Sequence, residues 1–368
     1  MKIAILSSHT PTLFYFRLDM MHMFGKLGYE VVAIGNEDEK KWSQQFLDNG
    51  IKYRAIKIDR NGLNPLNDLS TVISIKNVLQ QEKPDKIFVY QAKTVVYGSI
   101  VAGFLGIREV YPLIAGIGSV FLSNDVKGSI VKWVLTIEYR YAMKFCEKIF
   151  FQNEDDIRLF VALKIVERKD TVLLRGSGVN LEKFQVQKLP REIVFLFMGR
   201  LIRDKGICEY LEACKIIKME FPKVRCLLLG GYDTNPSALT KEELKPFIKS
   251  GVIEYFGEQL DVRPFFAQCS VFVLPSYREG TPKAVLEAMA CGKAIITTDV
   301  PGCRETVEDG KNGHLIEAKN VSALVAKMKQ FINNPGLVKD MALVGRKLVE
   351  DVFDVNKVNQ VIAKTMKL

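Results

Sequence analysis

Short apolar runs separated by longer helical patterns recur along this chain of 368 residues, break off at a polar stretch near residue 180, and then start again. The first series comprises Lys2 to Leu6, Glu30 to Ile34, Tyr53 to Ile56, Ile87 to Tyr90, Val110 to Ile114, Ile149 to Phe151 and Val172 to Leu174. The second comprises Val194 to Phe197, Cys226 to Leu229, Ile253 to Phe256, Val271 to Leu274 and Ala294 to Thr297, with a short element at His314 to Ile316. Alternation of strand and helix predicts mostly parallel sheets covered on both faces. The chain is longer than one core usually supports. The expected fold class is therefore α/β with two Rossmann-like domains, residues 1–178 and 191–354, joined by a linker at 179–190 within RGSGVNLEKFQVQKLP, and followed by an amphipathic segment at 355–368.

Composition narrows the function classes. With 48% hydrophobic and 26% charged residues, and no uninterrupted apolar run of membrane-spanning length, the chain reads as a soluble globular protein. MKIAILSS is too short and strand-like for a signal peptide. Seven cysteines without a C-x-x-C pair read as reduced thiols of a cytoplasmic protein, and three scattered histidines give no case for zinc. The net charge of +10 suits nucleic acid, an anionic membrane or a polyphosphate ligand. No nucleic-acid motif accompanies it, so a membrane surface ranks above nucleic acid.

The stretch VFVLPSYREGTPKAVLEAMACGKAIITTDVPG, Val271 to Gly302, carries the densest signal. Its first strand breaks at Pro275-Ser276 into a polar loop. A helix follows, with Thr281 as N-cap and Pro282 in its first position, and ends at Cys291-Gly292. Ligands of such units sit at the carboxyl ends of the strands, where helix N-H groups attract anions. Glu279 stands in that mouth and Glu287 lies on the first turns of the helix, with seven residues between them. Two carboxylates beside an anion site suit a nucleotide sugar, although glutamates on a loop and a helix are also commonplace surface residues. Cleaving a sugar from a nucleoside diphosphate leaves negative charge that fixed cations or a divalent ion must steady. The chain has no Asp-x-Asp for a metal, whereas Arg200 and Lys205 lie in MGRLIRDKG directly after a strand. Arginine grips two phosphate oxygens and lysine adds a point charge, so no metal or other cofactor is expected.

GRLIRDKG, GSGVNLEKF, Gly230-Gly231, YFGEQLDV and LPSYREGTPKAVLEAMACGKAII, in this order, resemble the motifs of the retaining glycosyltransferases of family 4, which have the GT-B fold of two Rossmann-like domains facing a central cleft. The resemblance implies that Arg200 and Lys205 bind the donor diphosphate and that Glu287 takes the ribose hydroxyls. It puts Glu279 on the sugar face opposite the leaving group, with Gly280, Thr281 and Pro282 beside it and Gly257, Glu258 and Asp261 flanking the base. It also implies that the segment 355–368 is a helix crossing back to the first domain. SSHTPTLFYFR, the K-x3-YG of Lys93 to Gly98 and GIGSVF are similar to bacterial transferases that extend undecaprenyl-diphosphate-linked sugars, including N-acetylgalactosaminyltransferases acting on bacillosamine. Many members have a histidine in the loop after the strand equivalent to Ile87 to Tyr90. Here the loop reads QAKTVVYG, so either Lys93 has taken over contact with the sugar or no side chain is needed there.

After the first strand, SSHTPT reads as a turn-rich loop before a helix from about Phe16 to Leu27, and Ser8, His9 and Arg17 in and after that loop are further donor-side candidates. A lone loop histidine is often incidental, and Arg17 reads equally as a salt-bridging surface residue. Gly116 and Gly118 follow another strand and either face an acceptor or only relieve backbone strain. Lys132, Trp133 and Arg140 lie in an amphipathic pattern from Lys127 to Lys144 that suits a bilayer interface or a core helix with a solvated stripe. The reading is an enzyme that transfers a sugar, such as an N-acetylhexosamine, from a UDP donor to a lipid-diphosphate-linked saccharide while retaining anomeric configuration. It is expected in the cytoplasm, peripheral on the inner face of the cell membrane through its N-terminal domain, with no nucleic-acid partner. The alternative is a UDP-sugar epimerase of the same fold or a non-catalytic sugar-nucleotide binder.

Overall fold

A computed structural model describes residues 1–59, 65–117, 126–233 and 235–368, excepting the side chains of 65, 66, 126 and 127. The chain divides into two compact units, one of Met1–Ser177 with Val355–Leu368 and one of Gly178–Asp354. Both are built as the apolar runs predict.

In the first unit, strands β1 (Lys2–Ser7), β2 (Glu30–Gly35), β3 (Lys52–Ala55), β4 (Lys86–Tyr90), β5 (Glu109–Ile114), β6 (Ile149–Phe151) and β7 (Thr171–Leu173) form a parallel sheet in the order β3-β2-β1-β4-β5-β6-β7. The interior strands are apolar almost throughout because helices cover both faces: Ile3, Ile5 and Phe88 pack on one side, Ala4, Leu6, Ile87 and Val89 on the other. The first helix, Thr10–Lys26, starts earlier than the expected Phe16, because Pro11 stands in its first turn, where a missing N-H costs nothing. Within SSHTPT, Thr10-Pro11-Thr12 are therefore helix, Ser7 ends β1, and only Ser8-His9 lies between them. QAKTVVYG, expected as a loop, contains a π-helical turn at Thr94–Gly98 that runs directly into helix Ser99–Phe104. The closing helix Val355–Met366 buries Val358, Ile362 and Met366 in the core shared with β1, β4 and helix Thr10–Lys26. Lys86, only 4% exposed, pairs with Glu109 at 2.5 Å and donates to the carbonyl of Met366 at 2.8 Å, tying that helix to the sheet.

In the second unit, strands β8 (Val194–Met198), β9 (Arg225–Leu229), β10 (Glu254–Tyr255), β11 (Val271–Leu274), β12 (Ala294–Thr298) and β13 (Gly313–Ile316) form a parallel sheet in the order β10-β9-β8-β11-β12-β13. Its core joins Phe195, Phe197, Leu227, Phe272 and Ile295 to the buried faces of helices Ile207–Glu220, Lys283–Ala290 and Val321–Asn333. Each sheet reverses its strand order once, between β1 and β4 and between β8 and β11. Such a reversal opens a crevice at the carboxyl edge, which is where ligands of doubly wound sheets bind. All seven cysteines are free. Among the described residues no helix is long and apolar enough to cross a membrane.

Candidate active site

The reversal between β8 and β11 collects the residues that the motifs single out. After β8 the chain runs through Arg200 and Lys205, and after β11 through Ser276 and Glu279. These loops touch because two glycines replace side chains that would collide. At Gly206, with φ of 72°, a Cβ would stand 2.1 Å from the Pro275 carbonyl oxygen. At Gly302, with φ of 86°, it would meet the carbonyls of Glu279 and Gly280 at 2.3 and 2.4 Å. Tyr277 N-H donates to the Asp204 carbonyl at 2.9 Å, and Glu279 N-H to that of Pro301 at 3.1 Å. The loops are thus sewn together by backbone.

On this frame the Lys205 ammonium lies 2.5 Å from Glu279 Oε1, and Ser276 Oγ donates to the same oxygen at 2.7 Å. The side chains of Lys205 and Glu279 are 22% and 11% exposed, so the pair is partly shielded and its attraction exceeds that of a surface pair. Arg200, nearly half exposed, pairs with Asp233 at 2.9 Å. Gly280, Thr281 and Pro282 follow Glu279 into helix Lys283–Ala290. That helix begins one residue later than expected: Pro282, with ψ of 106°, is its N-cap, and Thr281 precedes it. Half-buried Glu287 lies on the helix, and burial pushes its carboxyl above the usual range although Lys283 and Lys183 act against this. A Cβ at Gly231 would approach Glu258 Oε2 to 2.9 Å, so Glu258 and neighbouring Gly257 belong to the edge beside β9. Asp261 instead pairs with Arg263 at 2.8 Å on the surface.

In the first unit, Ser7 and Ser8 both donate to Gln91 Oε1, at 2.8 and 2.7 Å, bridging the carboxyl ends of β1 and β4. Gln91 holds a left-handed φ of 73°, a conformation uncommon outside glycine and found often at functional sites. Sequence reading passed over its side chain. His9 is next to this bridge as the helix N-cap residue. Lys93 is engaged at 2.6 Å by Asp68, from helix Pro65–Glu82. Glu138 approaches the same pair: burial, and then Asp68, push its carboxyl up, while Lys93 pulls it down. Arg17 is not the salt-bridging surface residue that the sequence allows. It is 2% exposed, with its guanidinium 5.6 and 5.2 Å from the ring centres of Phe88 and Tyr90, and burial lowers its pKa. Gly116 follows β5 with φ of 116°, and Gly118 lies outside the described residues. Lys132, Trp133 and Arg140 ride helix Val126–Met143. Arg140 donates to the Leu163 carbonyl in the turn before β7, at the amino edge of the sheet and away from Lys93.

Fold and edge chemistry define an α/β protein of two doubly wound units, the second carrying a lysine-glutamate pair at its switch point and an arginine in the same loop as the lysine. Residues 2–153 match the family described as "Glycosyl transferase 4-like" and residues 179–348 that described as "Glycosyl transferases group 1". The chain is 30% identical, over 93% of its length and 92% of the relative's, to the N,N'-diacetylbacillosaminyl-diphospho-undecaprenol alpha-1,3-N-acetylgalactosaminyltransferase of Campylobacter jejuni. It is 28% identical to the capsular polysaccharide biosynthesis glycosyltransferase CapM of Staphylococcus aureus, over 88% and 86% of the two chains. Among solved structures, sucrose-phosphate synthase of Thermosynechococcus elongatus aligns with TM-score 0.80 at 16% identity over 100% of this chain and 98% of that one. Anabaena HepE, in complex with UDP and glucose, aligns with TM-score 0.79 at 18% identity over 100% and 99%. The chain belongs to family 4 of the GT-B glycosyltransferases and is a glycosyltransferase. The alternative of an epimerase or a non-catalytic binder finds no support in these relatives.

Proposed function

We propose that this glycosyltransferase moves an N-acetylhexosamine, such as N-acetylgalactosamine, from a UDP donor to a polyprenyl-diphosphate-linked saccharide in bacterial surface-glycan or glycoprotein-glycan assembly, retaining anomeric configuration and needing no metal. The observation that carries the reading is the Lys205-Glu279 pair at the switch point of the second sheet, with Arg200 in the same loop as Lys205. It stands in a chain 30% identical to a transferase whose name states such an acceptor and sugar. In this mechanism the bond from the sugar C1 to the UDP oxygen breaks while Lys205 and Arg200 stabilise the charge growing on the phosphate. The acceptor hydroxyl attacks C1 from the same face, and its proton passes to the departing phosphate oxygen, so no protein base is required. Glu279 would hold the donor sugar from the opposite face and Glu287 the ribose hydroxyls. Ser8, His9 and Lys93 would bind sugar hydroxyls at the carboxyl edge of the first unit's own sheet, and we place that unit on the inner face of the cell membrane.

The test offers a panel of UDP-sugars, with and without a short lipid-diphosphate acceptor, in chelator. The expected result is acceptor-dependent UDP release and a product whose anomeric proton coupling matches the donor. An inverted product, or turnover abolished by chelator and restored by magnesium, would sink the mechanism.

A further inference from the structure

We propose that Asp233 is a positioning residue for Arg200: it pins one nitrogen of the guanidinium so that the edge carrying two parallel N-H donors stands ready for the donor diphosphate. The proposal rests on the reading of Arg200 as a diphosphate ligand and names the group that aims it.

Arg200 follows β8 and Asp233 follows β9, and backbone contacts lay the two loops side by side. At Gly230, with φ of 153°, a Cβ would collide with the Gly199 carbonyl oxygen, so only glycine lets the loops meet. Beyond that contact Leu201 N-H donates to the Gly231 carbonyl at 3.2 Å, Leu239 N-H to that of Leu201 at 2.8 Å and Arg203 N-H to that of Ser237 at 2.8 Å. Asp233 is further fixed within a turn, because its Oδ1 accepts from Asn235 N-H at 2.8 Å. Its other oxygen, Oδ2, takes Nη1 of Arg200 at 2.9 Å. The carboxylate side chain is 16% exposed and the arginine 48%, so the acid is the fixed partner and the arginine the one held.

The manner of holding sets Arg200 apart. A guanidinium grips a carboxylate or phosphate best through two parallel N-H groups, and Nε with Nη2 forms one such edge. Arg225 uses that edge on Glu254, at 2.7 and 2.6 Å, and Arg263 uses it on Asp261, at 2.8 Å from both nitrogens. Arg200 gives Asp233 only Nη1, and its Nε and Nη2 have no acceptor among the described residues. The edge that two other arginines close is therefore left open in the loop after β8. An ion pair this exposed contributes little to stability, so folding alone does not account for it. A long arginine stem, however, loses rotamer freedom when it grips a ligand, and an anchor takes part of that loss beforehand.

The opposite role, a carboxylate that competes with the diphosphate for Arg200, predicts the opposite sign in one experiment. Asp233→Asn keeps a carbonyl oxygen for Asn235 N-H but sets an amide nitrogen, which cannot accept, against Arg200. Asp233→Ser also supports the turn and is too short to reach the guanidinium. UDP is titrated calorimetrically, in chelator, into wild type, both variants, Arg200→Ala, and Arg200→Ala combined with Asp233→Asn. Each Asp233 variant should weaken binding about 3- to 10-fold, the cost of ordering one long side chain, with an unchanged urea midpoint. On the Arg200→Ala background, Asp233→Asn should change affinity by no more than about twofold. Tighter binding in Asp233→Asn would make Asp233 a competitor, and unchanged binding would show that Arg200 needs no anchor. An equal loss with and without Arg200 would place the effect in the turn; each of these three results overturns the proposal while the diphosphate reading stands. UDP affinity untouched by Arg200→Ala would instead overturn that reading, and the positioning role with it.

Discussion

Lys205 and Glu279 are separated by 74 positions in sequence and 2.5 Å in space, on loops whose close approach leaves no room for a Cβ at Gly206 or Gly302. Removing either charge should therefore disable the edge without disturbing the fold. Lys205→Ala and Glu279→Gln are each expected to lower kcat about 100- to 1,000-fold, the usual cost of losing one group that stabilises transition-state charge, with an unchanged circular dichroism spectrum. Full activity in either purified variant would remove that residue from the mechanism. A second carboxylate makes a separable point about pH. Burial pushes Glu82 up, but hydrogen bonds from Lys52, Arg54 and Lys2 more than reverse this and bring it down to about 2. Because its folded value lies below its unfolded one, its contribution is complete above about pH 4.5 and lost as pH falls toward about 2. Urea melts across that range should show the stability gap between wild type and Glu82→Gln closing on acidification; a constant gap would mean that the ion pairs carry no linkage. None of these partners announces itself locally. Arg200 finds Asp233, and Lys93 finds Asp68, across 33 and 25 positions with no periodicity to signal the pairing, so the charged residues were legible in the sequence while their partners were not.

At the scale of elements, legibility followed how strongly the surroundings dictate each segment. Strand Val271–Leu274 stands where the sequence predicts it, because a continuous apolar run bounded by Pro275 admits little else. Thr10-Pro11-Thr12 was misread as a turn because proline and threonine favour turns and first helical turns alike. The π-turn at Thr94–Gly98 has no sequence signature of its own; it is set by packing against helices Pro65–Glu82 and Val126–Met143. The closing helix is amphipathic by sequence, and what seats it is the buried Lys86 reaching its last carbonyl. Lys86→Met should destabilise the first unit by about 2 kcal/mol, since it leaves the Met366 carbonyl without its donor and Glu109 without its ion pair. The measurement is the urea midpoint of the first unit against wild type, and an unchanged midpoint would show that apolar packing alone seats the helix.

At the scale of the whole molecule, both units repeat one solution: buried parallel strands, covered on both faces, whose order reverses once and leaves a carboxyl edge open. They differ in what stands at that edge. The first presents serine hydroxyls, a strained glutamine and a lysine already neutralised by Asp68, a lining suited to hydroxyl-bearing ligands. The second presents Lys205 and Arg200, which suit a diphosphate. This division of labour predicts that nucleotide recognition resides in the second unit and depends on side chains instead of a divalent ion. Calorimetric titration of UDP into wild type, Arg200→Ala and Lys205→Ala in chelator tests it most directly. The account predicts wild-type binding that magnesium does not strengthen and at least a tenfold loss in each variant; binding that appears only with magnesium, or that is equal in all three proteins, would contradict it.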